Sequence, residues 1–192
     1  GNGDQSEALR LAGRAQALRP NTPWVLKYLL KLQVNAGHWN AADTTLQQVI
    51  RLGAVDAAAG RRQRAAVAIE MARETAAAGE TAAAVKHARR AHGLDPGLVP
   101  ATVGHVKSLM DAGKARRAAK VIESAWTLEP HPALAAAYDE FGGEGEAPLA
   151  RVKRFQRLHD LRPDHAESHL ALAEASLAAE VWGQARRLLE PV

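Results

Sequence analysis

Eight histidines are the first residues in this 192-residue chain that invite a chemical proposal. His165 and His169 stand four apart, so a helix would place both imidazoles on one face, a spacing that can hold a metal ion. No third His, Cys or acidic ligand follows with metal-site spacing except the nearby Asp164, and His87 and His92, five apart, diverge. A lone histidine can ligate haem; the alternative for each of the eight is a surface or helix-cap position. The chain has no cysteine, which excludes disulfides, thiol catalysis and thiolate metal sites. It contains no G-x-x-x-x-G-K phosphate loop, no G-x-S-x-G nucleophile elbow and no H-E-x-x-H. Nothing singles out an acid–base pair. The expectation is a protein that is not an enzyme and carries no metal or cofactor of its own.

The elements that position these side chains are helical by composition. Alanine accounts for 42 residues, whereas Val, Ile and Thr together number 23 and aromatics make up 4%. That balance favours helix and excludes a β-sandwich or a parallel α/β sheet. Charged residues at 24% exclude collagen-like and disordered classes. No apolar run approaches the ~18 residues of a membrane span, and the first ten residues lack the layout of a signal peptide.

A period near 34 residues organises the chain. Leu-x-Pro recurs at Leu18, Leu94, Leu128 and Leu161, the last two intervals being 34 and 33. Gly37, Gly79 and Gly113 each precede an alanine by five residues (Ala42, Ala84, Ala118) and a leucine by fifteen (Leu52, Leu94, Leu128). Glu180 takes the turn position in the last unit, and the stretch before Gly79 carries 8 extra residues. Glycine past a helix end and proline at the next stop divide each unit into a helical hairpin. The spacing predicts eleven helices, at roughly 4–18, 23–36, 38–51, 60–78, 80–92, 98–112, 114–127, 132–141, 148–160, 165–179 and 181–190. Thr22-Pro23 reads as an N-cap with proline at the first helical position, and Asp164 with Glu167 as a capping box. The fold expected is an all-α, right-handed solenoid forming one repeat domain over 1–192. It comprises a half-unit 1–20 and units of about 21–54, 55–96, 97–130, 131–163 and 164–192. Because the array begins and ends inside a repeat, a fragment of a longer protein is expected.

Gly37, Trp39, Ala42 and Leu52, then Gly113, Ala118, Ala125, Leu128 and Pro130, and finally Trp182 and Ala185, resemble the tetratricopeptide repeat over essentially the whole chain. A narrower likeness lies in Ala36-Gly37-His38-Trp39, Leu94-Asp95-Pro96-Gly97-Leu98-Val99-Pro100, Ala125-Trp126-Thr127-Leu128-Glu129-Pro130-His131-Pro132 and Glu167-Ser168-His169-Leu170. These stretches resemble the C-terminal repeat region of HemY-type proteins. That resemblance implies the soluble part of a bacterial inner-membrane protein associated with haem biosynthesis. Its membrane attachment would lie in a segment absent from this chain; of the two sides of the membrane, the cytoplasmic one is favoured. The family brings no catalytic residues to carry over.

The tetratricopeptide layout implies that the first helix of each unit lines a concave binding face. On that layout Trp24, Lys27, Lys31 and Asn35 face inward, with Arg73 and Lys107 at the positions equivalent to Lys31. Lys31, Arg73 and Lys107 would then form a basic row suited to an acidic peptide, a phosphate-bearing tail or a propionate-bearing tetrapyrrole. The alternative is a solvated basic face in a chain of net charge +4. Arg61, Arg62 and Arg64, in the lengthened stretch, would project from the edge toward anionic lipid or a partner, or merely be a solvated helix start. In helix 148–160, Leu149, Val152, Phe155 and Leu158 form a stripe that either packs inside the array or lies on a membrane. Phe141–Glu146, rich in glycine, reads as a hinge or loose loop. Trp39 and Trp182 occupy equivalent turn positions, which argues for packing between hairpins. Nucleic acid is not expected as a partner, because acidic residues interrupt the positive charges along nearly every helix. The function expected is a protein-interaction scaffold whose partners include haem-pathway enzymes. The alternative is a haem- or porphyrin-binding module using the basic row.

Overall fold

Leucine-x-proline ends helices here for a stereochemical reason. The residue before a proline is pushed out of the helical region by the pyrrolidine ring, and Asp95 (φ −148°), Glu129 (φ −154°) and Arg162 (φ −143°) all leave it. The structure, a computed structural model, describes residues 2–143 and 145–190. Four helices stop at the leucine of the motif: α1 (Asn2–Leu18), α5 (Thr81–Leu94), α7 (Ala115–Leu128) and α9 (Pro148–Leu161). Between them lie α2 (Pro23–Asn35), α3 (Trp39–Arg51), α4 (Ala57–Ala77), α6 (Val99–Asp111), α8 (Pro132–Asp139), α10 (Ala166–Ala178) and α11 (Trp182–Leu189). Where the proline is missing, after α3, Gly53 (φ 66°) makes the stop instead. No strand occurs among the described residues, so the fold is all-α, with consecutive helices packed in pairs.

The turns inside the hairpins share one hydrogen-bond pattern. His38 N donates to Gln33 O, Glu80 N to Thr75 O, Lys114 N to Leu109 O and Val181 N to Ser176 O, each at 2.8–2.9 Å. This closure needs a positive φ at the residue before the donor, supplied by Gly37, Gly79 and Gly113 (69° to 78°). The fourth turn uses Glu180 at φ 58°, a conformation that strains any residue with a Cβ. Glu180→Gly is therefore expected to stabilise the chain by about 0.5–1 kcal/mol, relief of strain exceeding the added entropy of the unfolded chain. A urea midpoint followed by far-UV circular dichroism checks this; a lower midpoint contradicts it.

The chain forms two compact units, residues 1–101 and 102–192, divided within α6. In the first, Ala8, Leu9 and Ala12 of α1 pack on Leu29 and Leu32 of α2. Leu46, Trp39 and Ile50 of α3 pack on Leu30 of α2 and on Val67 and Met71 of α4. Ala68, Ala91, Ala101, Ile69 and Leu98 form a third cluster. Of the landmark alanines, Ala42 and Ala118 are fully buried where backbones approach, whereas Ala84 is half-buried. Trp126 is the largest fully enclosed side chain of the second unit, its indole Nε1 donating to Ser168 Oγ at 3.0 Å.

Several local expectations change. Helix α4 begins at Ala57 rather than 60, because Asp56 accepts hydrogen bonds from Ala58 N and Ala59 N, both at 3.0 Å. Thr22 occupies the N-cap of α2 but its side chain makes no capping bond. The cap of α10 is an imidazole, not the Asp164 carboxylate: His165 Nδ1 accepts from Glu167 N at 3.1 Å. His131 caps α8 in the same way at 3.0 Å. Val152, Phe155 and Leu158 are buried, whereas Leu149 is 61% exposed, so the α9 stripe is a packing face that omits its first member. Trp39 packs inside its hairpin cluster, but Trp182 is 64% exposed.

Candidate binding face on helix α2

Helix α2 buries Val25, Leu26, Leu29, Leu32 and Gln33. At 100° per residue the opposite side carries Trp24, Lys27, Tyr28, Lys31 and Asn35, and all five are exposed. Trp24, Tyr28, Lys31 and Asn35 follow one another at i, i+4, i+7 and i+11, a single continuous stripe. Trp24 is 71% and Tyr28 51% exposed, large apolar areas that the fold itself leaves uncovered. Tyr28 escaped the sequence reading; its signal was the four-residue spacing from Trp24. No acidic side chain interrupts the stripe.

The wider basic row is less uniform than expected. Arg73 of α4 is exposed but donates to Glu70 Oε1 at 2.9 Å on its own helix, so that position presents an ion pair rather than a free cation. Lys107 is exposed on α6, in the second unit. The arginines at the start of α4 do not form one projecting cluster. Arg61 is exposed, Arg62 pairs with Asp95 at 3.2 Å, and Arg64 turns inward to Asp43 at 3.1 Å. The physical reason is Asp43: a carboxylate 7% exposed on α3 demands cations. Arg90 of α5 supplies a second at 2.6 Å, and Gln47 a third hydrogen bond at 2.8 Å. Burial alone raises the Asp43 pKa, but the guanidiniums of Arg90 and Arg64 outweigh it and hold the carboxyl below its ordinary value.

The second unit contains a comparable cluster at the glycine-rich break. Arg154, 8% exposed, donates through Nε to Glu146 Oε1 at 2.9 Å, reaches Asp139 Oδ1 at 3.3 Å and bonds the Tyr138 carbonyl. Its guanidinium also lies 5.2–5.3 Å from the ring centres of Phe155 and Tyr138. Arg151 holds Asp139 in a two-pronged pair, 2.8 Å on each side. The stretch expected to be a loose loop is thus tied at Glu146, after a 3₁₀ turn over Glu140–Gly142. Hydrogen bonding to Arg151 lowers the Asp139 pKa, and hydrogen bonding to Arg154 lowers that of Glu146.

The histidines do not converge on a metal. His165 and His131 are caps, and His169 stacks edge-to-face on His159 at 5.1 Å. Among the described residues no group of three or more His, Asp or Glu side chains has metal-binding geometry, and no helix is long and apolar enough to cross a membrane.

No family model matches the chain. It is 28% identical over 155 residues to the probable magnetosome protein Mms48 of Magnetospirillum gryphiswaldense, a match covering 81% of this chain. The chain spans about a third, 34%, of the length of that relative. Among solved structures it is similar to a tetratricopeptide repeat protein from Parabacteroides merdae, with 13% identity, TM-score 0.50 and coverage of 98% and 72% of the two chains. It is also similar to MamA, with 14% identity, TM-score 0.37 and coverage of 99% and 87%. The Parabacteroides likeness agrees with the hairpin geometry: the chain has a tetratricopeptide-like, all-α fold.

Proposed function

We propose that this chain is a non-catalytic protein-interaction scaffold that binds a partner segment along the outward stripe of α2. The observation that carries this reading is the exposed row Trp24, Tyr28, Lys31 and Asn35, with Lys27 beside it, on a helix whose opposite side is fully packed. Two aromatics one turn apart offer apolar area at low entropic cost, and two lysines select an acidic segment. The HemY-type resemblance supports a haem-pathway partner and an inner-membrane setting for the full-length protein. Similarity to a probable magnetosome protein supports a magnetosome partner instead. Crosslinking in the native cell distinguishes them. A Trp24→Ala/Lys27→Glu/Lys31→Glu variant is expected to keep its helical signal and lose the partner that the unaltered chain captures, a drop of tenfold or more. Undiminished capture removes α2 from the function.

A second reading, a tetrapyrrole held by the same face, is favoured by one observation only: ring-stacking surface and cations lie side by side on α2. Its test is titration with protoporphyrin. Saturable quenching of Trp24 at micromolar ligand supports it, and absence of quenching excludes it.

A further inference from the structure

The second unit separates its charges by helix. Helices α7, α9 and α11 carry nine Lys or Arg against two Asp or Glu, whereas α8 and α10 carry three Asp or Glu and no Lys or Arg. The three basic helices stand side by side. Arg162, just past α9, donates to the Thr127 and Leu128 carbonyls at the end of α7 at 2.9 and 3.2 Å, and Gln184 of α11 donates to Gln156 of α9 at 3.2 Å.

Two of these helices present matched outward stripes. On α7, Ala118, Ile122, Ala125 and Trp126 are buried, and the opposite side shows Arg116, Lys120, Ser124 and Leu128 at four-residue intervals, all exposed. On α9, away from the buried Val152, Arg154, Phe155 and Leu158, stand Leu149, Lys153 and Arg157, again four apart and all exposed, with Asp160 and Leu161, also exposed, at the end of the helix. Arg116, Lys120 and Lys153 have no ion-pair partner among the described residues, although like charges one turn apart repel. Leu128 and Leu149 are 59% and 61% exposed. A solvated basic face gains nothing from exposed leucines at the ends of its cation pairs. A nucleic-acid surface would offer aromatic or amide side chains, and these stripes hold neither.

We propose that the paired outward stripes of α7 and α9 form a docking surface for an anionic lipid bilayer. Arg116, Lys120, Lys153 and Arg157 meet headgroup phosphates, and Leu128, Leu149 and Leu161 enter the headgroup–acyl boundary. This differs from the membrane contact suggested by the α9 apolar stripe, whose Val152, Phe155 and Leu158 are buried in the core; the two share only the exposed Leu149. It is independent of the α2 stripe.

The test is co-sedimentation of the 192-residue chain with vesicles of phosphatidylcholine alone and of phosphatidylcholine with 30% phosphatidylglycerol. Binding is expected to the anionic vesicles only and to weaken as salt rises. Each cation near such a surface is worth roughly a fivefold factor, so Lys120→Glu/Lys153→Glu/Arg157→Glu is expected to lower partitioning at least about a hundredfold. Leu128→Ser/Leu149→Ser is expected to lower it severalfold while leaving retention on heparin unchanged. The control Lys27→Glu/Lys31→Glu, on α2, is expected to bind vesicles as before. All these positions are exposed, and an unchanged far-UV spectrum verifies folding. Equal binding to neutral vesicles, full binding by the triple variant, or loss in the α2 control overturns the proposal. So does duplex DNA binding of equal strength with no effect of the leucine substitutions, which would assign the face to polyanions in general.

Discussion

Arg154→Ala is expected to destabilise the second unit by about 2–4 kcal/mol, somewhat below the loss that follows removal of one partner of a fully buried ion cluster, because Glu146 and Asp139 keep 18% and 40% of their side-chain surface. Arg154 is 8% exposed and is the single donor that joins Glu146, Asp139 and the Tyr138 carbonyl. Its burial opposes the positive charge, but Glu146 and Asp139 more than compensate and its pKa is raised. Truncation leaves a largely enclosed Glu146 carboxylate without its cation, removes the cation stacked against Tyr138 and Phe155, and frees the end of the glycine-rich segment. Arg154→Lys keeps the charge but not the fork that spans three acceptors, so it is expected to recover less than half of the loss. Trp126, fully buried in the same unit, serves as the reporter: its emission should shift to the red at lower urea in the alanine variant. A loss under about 1 kcal/mol would reduce the cluster to the standing of exposed ion pairs.

The geometry around Gly142 explains why this cluster was hard to read in advance. A Cβ placed on Gly142 would lie 2.6 Å from Glu146 Cδ and 2.8 Å from Arg154 Nη2. Three glycines within four residues signal conformational freedom when read locally, yet one of them is there to admit a side chain from elsewhere. The hairpins themselves were legible, because they depend on residues whose backbone chemistry is local. Asp95, Glu129 and Arg162 leave the helical region before their prolines and the turn glycines take positive φ, so Leu18, Leu94, Leu128 and Leu161 mark true helix ends. Position on a helix face was legible too: Trp24, Lys27, Lys31 and Asn35 are on one side of α2 because periodicity alone decides that. Pairing was not legible. Arg64 and Arg62 looked like free surface cations, but their partners, Asp43 and Asp95, lie 21 and 33 residues away. Asp164 had the residue type of a cap, yet His165 performs it, a choice made by one residue of register at the helix start.

The long-range pairing that the sequence concealed has a consequence that acid exposes. Asp43 joins α3 to α4 through Arg64 and to α5 through Arg90, and Asp43→Asn is expected to cost the first unit about 2–3 kcal/mol. This is below the full figure for a buried pair because the two arginines keep 24% and 31% of their side-chain surface and can rehydrate. The folded-state pKa of Asp43 lies below that of the unfolded chain, which is about 3.9. The stabilisation it provides is therefore complete above that unfolded value and is lost as pH falls through the folded one. The asparagine amide of the variant cannot ionise and has no such loss. The stability gap between the unaltered chain and the Asp43→Asn variant should stay constant from pH 7 to 5 and narrow below about pH 4. Asp139 and Glu146 titrate in the same direction in the second unit, so a global midpoint would mix the two clusters. Amide exchange of α3 and α5 reads the first unit by itself. A gap that widens on acidification, or persists undiminished at pH 3, would mean that Asp43 stabilises its three helices by shape and hydrogen bonding rather than by charge.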